Sequence, residues 1–413
     1  MTYILQPPRR LDARIELPAS KSISNRALII NALAGNEVRP ENLSDCDDTD
    51  VIVKALTLMP DVIDIKAAGT AMRFLTAYLA ITEGEHIITG TERMKQRPIG
   101  VLVDALRYLG ARIEYVEKEG FPPLRIKGQP LDGGAIEVAG NISSQYISAL
   151  LMIAPRLKRG LQLKMTGEIA SRPYIDLTLW MMGVFGAEAE WTDIDTVSVK
   201  AVPYRCQDYT IESDWSAASY WYEMIALSGD RDASVRLTGL KDDSKQGDSV
   251  VRYIFSLMGV KTAFIKENGK DEVRLTRHRT KLPRLEYDFY NSPDLAQTFV
   301  VACSLMNIPF HFRGLASLKI KETDRIEALK TEMRKLGIVI DDIDGNQLVW
   351  DGKRCEPTLE PIDTYNDHRM ALAFAPAAFV FPGLKIRHPE VVSKSYPRFW
   401  DDSRKTGFII SEE

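Results

Sequence analysis

Five runs of helical periodicity, each closed by a glycine and followed by a strand-like segment, recur along this chain. The closing glycines are Gly110, Gly186, Gly259, Gly337 and Gly407, so the steps are 76, 73, 78 and 70 residues. Glycine just past a helix is the expected left-handed stop. Within the copies the apolar residues fall at helical spacing, as in Ile326, Leu329, Met333 and Leu336. A period this regular outweighs local propensity, because a chain built of copies must stack them.

A second, more apolar helix precedes each of these by some 25 residues. Its copies start near Asn25, Thr70, Ser143, Ser216, Asp294 and His368. Runs such as ISALLMIA and TFVVACSL are apolar nearly all round, as buried helices are. Short alternating segments between the helices, at 86–89, 161–165, 235–238 and 310–313, are predicted strands. The unit is strand, buried helix, strand, amphipathic helix, strand, used six times, with the first copy abbreviated around a second helix at 48–59. An α/β fold of two three-unit domains follows. The first spans 19–212. The second is discontinuous, 1–18 plus 213–413, because the chain closes inside a strand and the segment at 2–17 completes that half.

Composition narrows the function. At 413 residues the chain is long for one core. A net charge of −4 argues against a general nucleic-acid binder. Cys46, Cys206, Cys303 and Cys355 form no CxxC pair, and the five histidines show no HxxxH-type spacing, so no zinc or redox signature is present. The N-terminal stretch lacks a signal-like apolar core, and the most apolar long run, 370–384, is too short to span a membrane. A cytoplasmic protein acting on small anionic molecules, with neither nucleic acid nor membrane as partner, is expected.

That expectation rests on the helix starts. Lys21-Ser22-Ile23-Ser24-Asn25-Arg26 crowds two cations and two hydroxyls into a first turn, where cations oppose the helix dipole unless an anion lies among them. Similar clusters recur: Gly69-Thr70 with Arg73, Arg97, Ser143-Ser144-Gln145, and Ser171 with Arg172 and Tyr174. In the second half come Asp294, Lys321-Glu322-Thr323-Asp324-Arg325, Asp367-His368-Arg369 and Lys394. Taken singly, each also fits ordinary capping or a solvated helix start. Recurrence in register favours a shared anion site, with the helices' N-termini converging on one face of each domain and the two faces forming an interdomain cleft.

The ordered motifs resemble one family. Pro18-Ala-Ser-Lys-Ser-x-Ser-Asn-Arg, Ala68-Gly-Thr-Ala-Met-Arg, Lys95-Gln-Arg-Pro-Ile-Gly, Ser143-Ser-Gln-Tyr, Ser171-Arg-Pro-Tyr-Ile-Asp, Lys321-Glu-Thr-Asp-Arg, Tyr365-Asn-Asp-His-Arg-Met-Ala and Lys394-Ser-Tyr-Pro are similar to those of the 5-enolpyruvylshikimate-3-phosphate synthases. The resemblance implies two domains of three βαβαββ-type units and no metal or organic cofactor, and a monomer is expected. It implies transfer of the carboxyvinyl group of phosphoenolpyruvate to the 5-hydroxyl of shikimate 3-phosphate with release of phosphate, on the route to chorismate and the aromatic amino acids. By the same match Asp294 is the proton acceptor and Glu322 a proton donor, while Lys21 touches both substrates and shares the proton work. Ser22, Arg26, Ser143, Ser144, Gln145, Ser171, Asp294 and Lys321 would hold shikimate 3-phosphate. Gly69, Arg97, Gln145, Arg325, Arg369 and Lys394 would hold phosphoenolpyruvate.

The chain departs from the family pattern at Ala67 and Phe74, where Asn and Pro are usual, and at Ser317, where Asn is frequent. Two alternatives remain at this point. One is enolpyruvyl transfer to UDP-N-acetylglucosamine, whose family resembles a Lys-Asn pair and a reactive Cys loop that this chain lacks. The other is a catalytically inert anion-binding homologue.

Overall fold

The computed structural model describes every residue except Glu37, Ile142 and Asn268. The chain divides into two compact units, residues 19–211 and residues 1–18 with 212–413.

The unit 19–211 carries helices α1 (Lys21–Leu33), α2 (Asp47–Leu58), α3 (Gly69–Ile81), α4 (Gly100–Tyr108), α5 (Ser144–Ile153) and α6 (Arg172–Val184). Helices α1, α3 and α5 pack on one another and are buried along most of their length. For α3 and α5 the cause is a surface apolar all round, which leaves no face for water. One sheet has the order Val62–Asp64, Gly84–Thr89, Leu124–Gly128, Arg112–Tyr115; the other has Gly134–Ala139, Leu161–Thr166, Thr196–Val199, Ala189–Asp193. In each sheet the first two strands are parallel and joined across a buried helix, while the last two follow the second helix and pair antiparallel. Every second residue of Leu124–Gly128 and Leu161–Thr166 is buried, so each sheet has one wet face. Between α1 and α2 the corresponding sheet is reduced, among the described residues, to one parallel bridge, Glu41 with Thr210.

The other unit repeats the plan with α7 (Trp215–Leu227), α8 (Val251–Leu257), α9 (Ala296–Leu305), α10 (Arg325–Lys335), α11 (His368–Phe374) and α12 (Phe399–Lys405). Its buried helices are α7, α9 and α11, with α9 packed against both others. The N-terminal residues supply two strands. Thr2–Gln6 lies between Leu384–Arg387 and Ile409–Glu412, and Asp12–Ile15 pairs parallel with Ser234–Thr238.

The five closing glycines all take positive φ, from 80° at Gly186 and Gly337 to 101° at Gly110. Side chains there would be strained, so the helix stop is a property of the residue type. Three details depart from the sequence expectation. Helix α1 starts at Lys21, as its charged first turn predicts but four residues before the start near Asn25 given by the repeat, because the hydroxyl of Ser20 accepts the Ile23 N–H at 3.4 Å. Arg97-Pro98 precedes rather than opens α4, and the Pro98 carbonyl accepts from Arg73 and Tyr146. Glu212, placed by the repeat at the end of the first domain, stands with the second unit, where its carboxylate accepts from Ser244 and Gln246. Among the described residues no helix is long and apolar enough to cross a membrane.

Candidate active site

In the unit 1–18 with 212–413, the charged residues named from helix starts form one network around Arg325. This first residue of α10 has a side chain only 1% exposed. Its Nε donates to Asp367 Oδ2 at 2.7 Å, and Nη2 donates to Asp367 Oδ1 at 3.2 Å and Glu322 Oε2 at 2.9 Å. Its Nη1 donates to Asp294 Oδ1 at 3.1 Å. Asp294 lies in a single 3₁₀ turn, Pro293–Leu295, just before α9. Its Oδ2 accepts from Arg369 Nη2 at 2.9 Å, and Lys321 Nζ lies 3.6 Å from Oδ1. Lys394 Nζ donates to Glu322 Oε1 at 2.7 Å.

Four cations therefore surround three carboxylates in a largely buried place, with Lys321 and Asp294 about a quarter and a fifth exposed. Desolvation disfavours every charge there, and mutual pairing offsets it. Burial would raise the Asp294 carboxyl, but Arg369, Lys321 and Arg325 hold it well below the ordinary carboxylate range. Burial works against the Arg325 cation, yet Asp367, Glu322 and Asp294 together push its pKa up. The excess of one cation leaves room for an anion, and the arginines supply forks shaped for carboxylate or phosphate.

The unit 19–211 holds the rest in three groups. Arg97 lies over the start of α3: a Cβ built on Gly69 would stand 2.7 Å from Arg97 Nη1. Only glycine lets the guanidinium approach this closely, and Arg97 Nε is buried without a hydrogen-bond partner. Beside it, Gln145 Nε2 donates to the Thr70 hydroxyl at 3.1 Å, and Ser143 caps α5 by accepting the Gln145 N–H at 3.3 Å. The second group surrounds Arg26, which is buried and donates to Thr178 Oγ1 (2.7 Å), Ser148 Oγ (3.1 Å), the Ser22 carbonyl (3.0 Å) and the Tyr174 carbonyl (3.3 Å). Burial lowers its pKa to about 10. The guanidinium also lies 5.3 Å from the Phe74 ring centroid and 5.9 Å from that of Tyr174, so aromatic faces stand in for a counter-charge. In the third, Lys21 Nζ meets Asp48 Oδ2 at 3.2 Å.

Ser144 is buried at the first position of α5. Ser171 holds the N-cap of α6 in left-handed backbone, φ 54°. Strained serine backbone persists only where the surroundings over-determine it. Arg172 faces elsewhere, onto the Trp191 ring at 3.8 Å. Sequence reasoning passed over Asp48, Ser148, Thr178 and Tyr220, the last accepting from Arg369 Nη1 at 3.3 Å. Only Asp48 carried a signal, being part of the acidic run Asp45-Cys46-Asp47-Asp48.

The family model described as EPSP synthase (3-phosphoshikimate 1-carboxyvinyltransferase) matches residues 5–63 and 57–402. The chain belongs to the EPSP synthase family. It is 61% identical over 411 residues to the 3-phosphoshikimate 1-carboxyvinyltransferase of Bacteroides fragilis, with 99% of each chain covered. The protein of the same name from Shewanella halifaxensis is 36% identical over 425 residues, covering 96% of this chain and 97% of that one. Among solved structures, the EPSP synthase of Acinetobacter baumannii superposes with a TM-score of 0.76 at 18% identity, with both chains fully covered. The enolpyruvyl transferase NikO from Streptomyces tendae gives 0.74 at 18% identity, over 99% of this chain and 98% of that one. These two likenesses concern the fold. As an EPSP synthase family member the chain is a transferase of the shikimate pathway, and neither UDP-N-acetylglucosamine transfer nor an inert homologue is favoured.

Proposed function

We propose that this EPSP synthase family member transfers the carboxyvinyl group of phosphoenolpyruvate to the 5-hydroxyl of shikimate 3-phosphate, with the residues above in specific roles. The observation that carries these roles is the Arg325 network, in which one buried guanidinium holds both Asp294 and Glu322. Asp294 takes the hydroxyl proton as the new C–O bond forms at C2 of phosphoenolpyruvate. Glu322, with Lys21 sharing the proton work, delivers a proton to the C3 methylene. The tetrahedral intermediate then returns a proton from C3 and its bond to phosphate breaks.

A carboxylate held far below its ordinary range is a weak base. The substrate corrects this. When the carboxylate and phosphate of phosphoenolpyruvate engage Arg325, Arg369 and Lys394, those cations are shared, and the Asp294 pKa rises toward a working value. Gly69, Arg97 and Gln145 hold the same substrate from the residues of the unit 19–211. Lys21, Ser22, Arg26, Ser143, Ser144, Gln145, Ser171, Asp294 and Lys321 hold shikimate 3-phosphate. A phosphomonoester carries about −2 at neutral pH, more than a helix end alone can hold, so arginine forks and lysine charges must dominate binding.

The test is phosphate release from phosphoenolpyruvate with shikimate 3-phosphate present or omitted. Release that requires the second substrate is expected; release no faster than background, with both present, would overturn the proposal.

A further inference from the structure

The segment Gln246-Gly247-Asp248 clamps the first turn of α7. Gln246 Oε1 accepts the Trp215 N–H at 3.1 Å, and its Nε2 donates to the Ser213 carbonyl at 2.8 Å. Two residues on, Asp248 is buried, and its Oδ2 accepts from the Ser216 hydroxyl, while its Oδ1 is buried with no hydrogen-bond partner. Ser216 and Tyr220 are four apart on α7 and so share a face. Tyr220 accepts from Arg369 Nη1, the arginine whose Nη2 pairs with Asp294. A buried carboxyl with one open oxygen thus stands one helical turn along α7 from the Tyr220–Arg369–Asp294 chain of hydrogen bonds.

We propose that Asp248 is a positioning residue whose charge sets the basicity of Asp294, through their common field at Arg369 and the face of α7 between them. This inference rests on the role of Asp294 proposed above. Burial first and the charge of Asp294 next raise the Asp248 pKa, Arg369 and the Ser216 hydroxyl oppose, Asp214 adds to the rise, and the net value is about 6. The phenol of Tyr287 also feels the Asp248 charge. The coupling is mutual, as any charge–charge coupling must be. With Asp248 neutral, only burial and the charge of Glu322 oppose Arg369, Lys321 and Arg325 at Asp294. Once Asp248 loses its proton to solvent, its charge opposes theirs and Asp294 holds a proton more readily. Turnover should therefore climb as pH rises through about 6.

The experiment measures kcat and KM by phosphate release, varying each substrate with the other saturating, from pH 5 to pH 8, for the wild type, Asp248→Asn and Ser216→Ala. The substrates' phosphates also ionise near pH 6, so only the difference between enzymes is read. Asp248→Asn is fixed in the neutral form. It should match the wild type within about twofold at pH 5 and fall about 3–10-fold below it at pH 7.5, as expected for half to one unit of base strength, with KM for both substrates little changed. A profile that superimposes on the wild type, or a rise in KM at constant kcat, overturns the inference. Ser216→Ala leaves the carboxyl in place and removes a hydrogen bond that favours its charged form, so the inflection must move to higher pH. An unmoved inflection overturns the inference even if Asp248→Asn fails to fold. An inactive wild type defeats the proposed function and this inference with it; an active wild type with either negative outcome defeats this inference alone.

Discussion

Asp367 grips Arg325 through both carboxylate oxygens, at 2.7 and 3.2 Å, and its Oδ1 also accepts the backbone N–H of Arg369 at 3.0 Å. One carboxylate thereby fixes the hub of the charge network and caps the helix that carries its second arginine. Asp367→Asn can keep the cap while losing the charge. Breaking one side of a buried pair usually costs about 3–5 kcal/mol. Arg325 keeps Asp294 and Glu322, so the expected loss is nearer to about 2–3 kcal/mol. Urea unfolding of the variant checks this, and a midpoint within error of the wild type would refute it.

Asp294→Asn removes the proposed base but retains a side chain of the same shape. Loss of a general base typically costs about 10²–10⁴ in rate. Turnover should drop by that order while calorimetry still detects both substrates. Undiminished turnover would remove Asp294 as the proton acceptor.

Arg97 and Gly69 make a paired prediction. Arg97→Ala should raise KM for phosphoenolpyruvate by about 10–100-fold, the worth of a charge-assisted hydrogen bond, and that for shikimate 3-phosphate far less. Gly69→Ala places a methyl 2.7 Å from Arg97 Nη1, so the guanidinium must shift. The same substrate should suffer, without a matching loss of thermal stability. Equal effects on both substrates would undo the assignment of Arg97.

Glu223 offers a pH test of stability away from the site. It is fully buried on α7, neither carboxylate oxygen has a hydrogen-bond partner, and burial raises its pKa well above the ordinary 4.5. The folded state then binds a proton that the unfolded state has released, so its contribution to stability is complete below about pH 4.3 and is lost as pH rises toward the folded value. The slope is up to about 1.4 kcal/mol per pH unit over that window. Glu223→Gln abolishes it. Between pH 5 and pH 8 the wild-type melting temperature should fall relative to the variant, and parallel curves would show that Glu223 is already ionised.

Local chemistry was readable in advance, and long-range chemistry was not. A glycine that ends a helix acts through its own φ, so Gly110, Gly186, Gly259, Gly337 and Gly407 could be picked out one by one. The buried helices were legible because α5 and α9 are apolar on every side. The environment of Arg26 was hidden: Ser148 and Thr178 lie 122 and 152 positions away, and neither carries a motif. Phe74, visible only as a departure from a family pattern, proves to be one of two rings against that arginine. The cluster of Asp294, Glu322, Arg325, Arg369 and Lys394 was legible as a set of helix starts, but the partner of each charge was not. Pairing depends on which helices stand side by side, and periodicity says nothing about that.

The strand Thr2–Gln6 is flanked by Leu384–Arg387 and Ile409–Glu412. During synthesis it therefore leaves the ribosome before either partner and waits for neighbours roughly 380 residues downstream, on the order of 20–80 s at ordinary elongation rates. The unit 19–211 is continuous and can form meanwhile. An unpaired strand carrying Tyr3, Ile4 and Leu5 must be kept from other chains throughout that interval. Slowed translation should raise aggregation of this protein more than that of a chain whose strands pair as they emerge.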